Sequence, residues 1–249
     1  MGATTIDAVI DDLQNIVDTA IAQEDALGYF AALYLKVTQR VKEKIDAGFF
    51  DDNPRMERLD VVFANRYIDA YQQYKSGEKP TKSWQVAFDA TVDNKIIVLQ
   101  HLLAGMNAHI NLDLGIAAAQ ITDPASIASL ENDFNKINEV LGELLTEVQD
   151  SLARIWPTLL WILRKTKNVD DFLVNFSMSI AREGAWKYSN EMVVLQGAAW
   201  DQEIVTRDLK IEKLGRSLIR PGRVERFIFW IIRISEHGSV AQKIKDLLD

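Results

Sequence analysis

Apolar residues recur at spacings of three and four along almost the whole of this chain, and no stretch alternates strictly between polar and apolar positions. That pattern buries one face of each successive helix and leaves a sheet nothing to be built from. Nearly all of the five prolines fall where helices would begin or break. Ile6, Val9, Ile10, Leu13, Ile16 and Val17 mark a first helix over about 5 to 22, with Thr5 as its N-cap. A second is expected from about 27 to 47, ending at Gly48. Pro54 opens a third, which ends at Ser76-Gly77. A fourth starts near Ser83 and pauses at Asp93-Asn94, and a long helical segment runs from Asp123-Pro124 to Pro157, which should interrupt it. Further helices are expected at about 169 to 195, 198 to 213, 223 to 235 and 239 to 248. The fold class is therefore all-α. It reads as a single compact bundle of eight to ten helices over residues 1 to 249, arranged around a fifth, apolar helix at about 95 to 120.

Composition removes several classes of function. No cysteine is present, so disulfides, thiolate metal sites and cysteine nucleophiles are absent. No apolar run approaches the ~18 residues of a membrane span, and no basic head followed by an apolar stretch marks a secretory leader, so no membrane partner is expected and a cytoplasmic location is. The net charge of −8 argues against nucleic acid as a partner. Only residues 205 to 249 are basic, with ten Lys and Arg against six Asp and Glu, and they read as a helical segment packing on the acidic remainder. Within them Arg216, Arg220, Arg223 and Arg226 could hold a phosphate or carboxylate, or form a solvated, salt-bridged face. The apolar run Phe227 to Ile232 could serve a homo-oligomer interface.

The polar residues of the fifth helix carry the chemistry. His101, Asn107, His109, Asn111 and Asp113 stand in an otherwise apolar segment, where unpartnered burial would cost about 1–3 kcal/mol each. On a helical wheel His101, His109 and Asp113 fall within an arc of about 120°, and Asn107 and Asn111 point to another side. His109 and Asp113, four apart, are neighbours. Three readings are open. The group is a structural polar network, a divalent metal site (Zn, Fe or Mn) with His109 and Asp113 as ligands, or a metal-free site for substrate binding or acid–base work.

In the enzymatic reading, a metal-assisted hydrolase or related small-molecule enzyme, His101, His109 and Arg182 are catalytic, and Asn65, Tyr67, Asn107, Asn111 and Trp186 line a substrate pocket. The opposing reading is a non-catalytic small-molecule-binding or scaffold protein. Partners for the central helix are sought among polar residues that interrupt apolar faces elsewhere: Asp60, Asn65, Arg66 and Tyr67 on the third helix, Asp133, Asn135 and Asn138 on the long segment, and Arg182 with Trp186. No Glu-x-x-His pair, His-Glu-x-x-His, Gly-x-Ser-x-Gly or phosphate loop is present.

Met56 to Tyr67, Pro80 to Trp84, and above all His101-Leu-Leu-Ala-Gly-Met-Asn-Ala-His-Ile-Asn-Leu-Asp113 resemble a bacterial family designated only as a domain of unknown function, over roughly residues 5 to 195. The resemblance implies that the His101–Asp113 stretch is the family's signature and its site, and it implies no reaction. The spacing Asn107-x-His109-x-x-x-Asp113 is also similar to a zinc-ligand motif of the all-helical phospholipase C and single-strand nuclease family. There it would make His109 and Asp113 ligands. That family uses more histidines than the three found here.

Overall fold

The computed structural model describes residues 2–156 and 178–249, and within them the secondary structure is entirely helical. Eleven α-helices are described: α1 (Ile6–Gln23), α2 (Gly28–Asp46), α3 (Asn53–Ser76), α4 (Lys82–Asp89), α5 (Val98–Ala108), α6 (Gly115–Gln120), α7 (Glu131–Ile155), α8 (Met178–Met192), α9 (Ala198–Ile219), α10 (Arg223–Ser235) and α11 (Val240–Leu248). The all-α expectation holds. Thr5 caps α1, accepting from the Ala8 amide, and Asp52 caps α3 in front of Pro54. Gly77 ends α3 in the left-handed conformation, where a Cβ would be strained. The part of the expected helix at 169 to 195 that precedes Met178, and Pro157 itself, lie outside the described residues. α7 ends at Ile155, just before that proline.

Three expectations need correction. The central helix starts at Val98 and is not one regular helix: a π-helical turn, His109–Leu114, separates α5 from α6. Its i→i+5 bonding takes in one additional residue, which rotates the face of α6 relative to that of α5 by about 100°. Asp123-Pro124 does not open a helix. The Asp123 carboxylate accepts from the amides of Ala125 and Ser126, which holds a turn, and α7 begins only after a 3-10 segment at Ile127–Leu130. α9 continues past the expected end at 213 to Ile219, running through Gly215, where it lies close to α4 and α5; a Cβ there would stand 3.2 Å from Asn107 Nδ2 and 3.4 Å from Val86.

Burial follows the apolar stripes and converges on α5, the π turn and α6. Every residue from Gly28 to Leu35 on α2 is buried, as are Leu102, Leu103, Ala104, Ala108, Leu112 and the run Leu114 to Ala119. α5 packs against α2, α4 and α9, the π turn against α3, α8 and α9, and α6 against α3 and α8. One large hydrophobic core draws residues from Ile6 to Leu247, so α11 closes against α1, α2 and α7. Asp208 of α9 reaches the first turn of α4, accepting from the amides of Lys82 and Ser83. On the outer side of α2, Lys36, Arg40 and Lys44 pair with Glu143 and Glu147 of α7. The basic end is a mostly solvated face: Arg216 pairs with Glu212 on its own helix, and α10 turns Phe227, Trp230, Ile231 and Ile234 outward. No described helix is long and apolar enough to cross a membrane.

Close approach at α6 gives a direct test. A Cβ on Gly115 would lie 2.9 Å from the Ala185 carbonyl oxygen and 2.7 Å from the Tyr188 ring, whereas one on Gly142 of α7 meets nothing within 4 Å. Urea denaturation of Gly115→Ala is expected to show a loss of about 1–3 kcal/mol. Gly142→Ala, in an open helix interior, is expected to gain about 0.5–1 kcal/mol.

Candidate functional site

The polar cluster is assembled around the Asp113 carboxylate, which is almost completely buried in the π turn. One oxygen accepts from Arg66 Nε of α3 at 2.9 Å. The other accepts from the Trp84 indole N–H of α4 at 2.8 Å and lies 3.3 Å from His109 Nδ1. Burial pulls the Asp113 acid upward, but the Arg66 charge, His109 and Trp84 together outweigh it and hold the carboxyl below its usual range. Burial pushes His109 the other way, below the ordinary imidazole value and against the pull of Asp113, so the ring is neutral. With an ionised acceptor at Nδ1, that nitrogen carries the proton and donates it to Asp113. Nε2 is left with its lone pair, buried and without a hydrogen-bond partner among the described residues.

Aromatic rings fix the orientation of His109. Phe63 of α3 stacks on it, with centroids 3.6 Å apart and planes 7° apart, and Tyr34 of α2 meets it edge-on at 4.4 Å. Phe30, Tyr67 and Trp84 complete the surround. Phe30 can lie there only because position 105 is glycine; a Cβ on Gly105 would fall 2.4 Å from its ring.

Beside this cluster is a cavity of about 260 Å³ between α2, α3, α5, α7 and α8. Its walls are side chains such as Leu33, Val37, Met56, Leu59, Leu102, Met106, Ile110, Ile137, Leu141 and Val148. Among the described residues of the wall four are polar: Tyr34, Asp60, His109 and Arg182. Tyr34 Oη and Asp60 Oδ2 are buried and have no hydrogen-bond partner among the described residues, and burial raises the tyrosine well above its usual value and Asp60 to about 7. Arg182, lowered by burial to about 9, keeps its charge at neutral pH.

The expected site residues divide accordingly. His109, Asp113 and Arg182 belong to the cluster or the cavity wall. His101 does not join them: two turns away on α5, it packs on Tyr29 at 5.5 Å, and burial lowers it to about 4. Asn107 donates to the Ile211 carbonyl and accepts from Asn111, fastening α5 to α9. Asn65 exchanges two hydrogen bonds with the backbone of Ala3, holding the start of the chain on α3. Tyr67 is buried among the aromatic rings, and Trp186 packs on Phe134 at 5.0 Å; neither lines the cavity. Asp133 accepts from the Asp51 and Asp52 amides ahead of α3. Among the described residues no group of three or more His, Asp or Glu side chains is placed to hold a metal ion, so His109 and Asp113 stand as a pair. Arg66 and Asp60 were legible as interruptions of an apolar face. Trp84, Tyr34 and Phe63 were not, because nothing distinguishes an aromatic residue that orients a histidine from one that fills a core.

Asp60 and His101 give opposite pH dependences. Between pH 6.5 and about 4, His101 is neutral in the folded chain and protonated in the unfolded one, so its contribution to stability is lost as pH falls. Asp60 is protonated when folded and ionised when unfolded between pH 3.8 and about 7, so what it contributes at acid pH is lost as pH rises. Asp60→Asn, which keeps the neutral shape, is expected to stabilise the protein at pH 8 by on the order of 2–4 kcal/mol, a gain that disappears near pH 3.5 in denaturation curves. Trp84→Phe, which leaves Asp113 one donor short, is expected to cost about 1–3 kcal/mol at pH 7 by the same measurement.

A family model described as a family of unknown function, DUF5995, matches residues 6–221. No curated protein and no solved structure matches the chain.

Proposed function

We propose that this chain, which belongs to the family of unknown function DUF5995, binds a small apolar molecule in the cavity beside His109. The observation that carries the reading is an apolar-walled cavity of about 260 Å³ between α2, α3, α5, α7 and α8, in contact with the polar cluster at His109. An apolar cavity of about 150 Å³ already suffices to bind benzene, so this one takes something larger. Few polar groups in a mostly apolar wall is the composition of ligand pockets, in which the polar atoms select and orient. Here those atoms are Tyr34 Oη, one oxygen of Asp60 and, in the same wall, His109. Leaving such groups buried and unpaired costs stability, a cost that a ligand able to hydrogen-bond them would relieve.

A second reading, catalysis, draws support from the tautomer of His109. A neutral imidazole held by a carboxylate at Nδ1 has Nε2 free to take a proton, and Asp60, with its value near 7, is suited to giving one. In that reading Arg66 and Trp84 are positioning residues that keep Asp113 ionised.

A neutral solvatochromic dye such as Nile red is expected to bind saturably, one per chain, with blue-shifted emission. Leu141→Trp, which places an indole in the cavity from α7, is expected to abolish that binding while circular dichroism stays unchanged. Absence of saturable binding, or equal binding by the variant, would overturn the reading.

A further inference from the structure

The polar group that says most about the ligand is Arg182. Buried to 5% exposure in α8 and lining the cavity, it donates from Nε to Asn138 Oδ1 at 2.8 Å and from Nη2 to the Phe134 carbonyl, and its guanidinium lies over the Phe134 ring at 4.6 Å. All of these partners are uncharged. Among the described residues no carboxylate pairs with it, in contrast to the other arginines that reach buried acids: Arg66 has Asp113 and Arg55 has Asp133. A buried cation without a counter-charge is costly, and a chain retains one where an anion completes the site. Asn138, its neighbour on α7, is exposed, so Arg182 stands where the apolar wall approaches the surface. From there the cavity extends inward to His109 and Asp60.

Resting on the apolar-ligand reading above, we propose that the ligand is a monoanionic amphiphile, an apolar body ending in a carboxylate, with Arg182 pairing to its head group and the body filling the cavity. A single negative charge matches a single guanidinium. A phosphate dianion would leave one charge uncompensated against a wall of leucine and isoleucine. Two of the three guanidinium nitrogens are already engaged with Asn138 and Phe134, which fixes the plane of the fork and leaves its remaining N–H groups for an anion.

The test compares dodecanoate, dodecan-1-ol and dodecyl phosphate by calorimetry on the wild-type chain below their aggregation concentrations, with Nile red as a neutral reporter of the cavity. Dodecanoate is expected to bind about tenfold or more tightly than the alcohol, and more tightly than the phosphate. Arg182→Gln is expected to remove that preference and leave Nile red binding in place, and Arg182→Lys to restore part of it. Acid and alcohol binding equally to the wild-type chain would overturn the head-group assignment while Nile red binding kept the cavity reading intact. Tighter binding of the phosphate would overturn the choice of carboxylate. Failure of Nile red and of all three ligands would bring down the cavity reading itself. Retention of dodecanoate binding in Leu141→Trp would place the ligand outside the cavity and overturn the proposal. The wild-type comparison of acid with alcohol decides the point even if Arg182→Gln does not fold.

Discussion

The buried carboxylate of Asp113 is the interaction on which the centre of this protein depends. A carboxylate in an apolar interior is expensive unless every lone-pair direction is answered. Here the answers come from three places in the chain: Arg66 on α3, Trp84 on α4, and His109 at the start of the same π turn. Satisfying one charge therefore fixes the relative placement of three helices. It also determines the state of a fourth group, because an ionised Asp113 leaves His109 Nδ1 no role except donor.

The π turn is the backbone side of the same arrangement. Within a regular helix the faces of α5 and α6 would follow one stripe, but the additional residue in His109–Leu114 offsets them. α5 can thereby pack on α2, α4 and α9 while α6 serves α3 and α8. Two glycines make the approach possible, Gly105 by admitting the Phe30 ring and Gly115 by admitting the backbone of α8. Polar network and wide turn sit at one point, and the cavity opens beside it. Asn107, Asn111 and Asn65 act as structural bolts, whereas His109 belongs to both the network and the cavity wall.

The cavity concentrates its few polar groups on opposing elements. Tyr34 comes from α2, Asp60 from α3, His109 from the π turn and Arg182 from α8. Burial keeps Tyr34 and His109 neutral at physiological pH and raises Asp60 to about 7, in the middle of its titration there, whereas Arg182 remains a cation. Such a wall presents a charge at one place and hydrogen-bonding atoms at another, while most of its lining is apolar.

The sequence by itself determined the helical class, most helix limits, and the segment that holds the central polar cluster, because each follows from local chemistry: three-and-four periodicity, a threonine or aspartate cap, a proline at a first turn, polar residues within an apolar helix. It also marked Asp60, Arg66 and Arg182 as polar residues out of place, since a charge on an apolar face needs a partner wherever that partner is. Tertiary structure alone decided who the partners are. Arg66 and Asp113 are 47 residues apart and Asn107 and Ile211 are 104 apart, and no local rule pairs them. It alone separated His101 from His109, which share a helical wheel but not a neighbourhood, since two turns of rise put them in different packing layers. It alone produced the π turn and the cavity, because both result from how the side chains of several helices fill, or fail to fill, one shared volume.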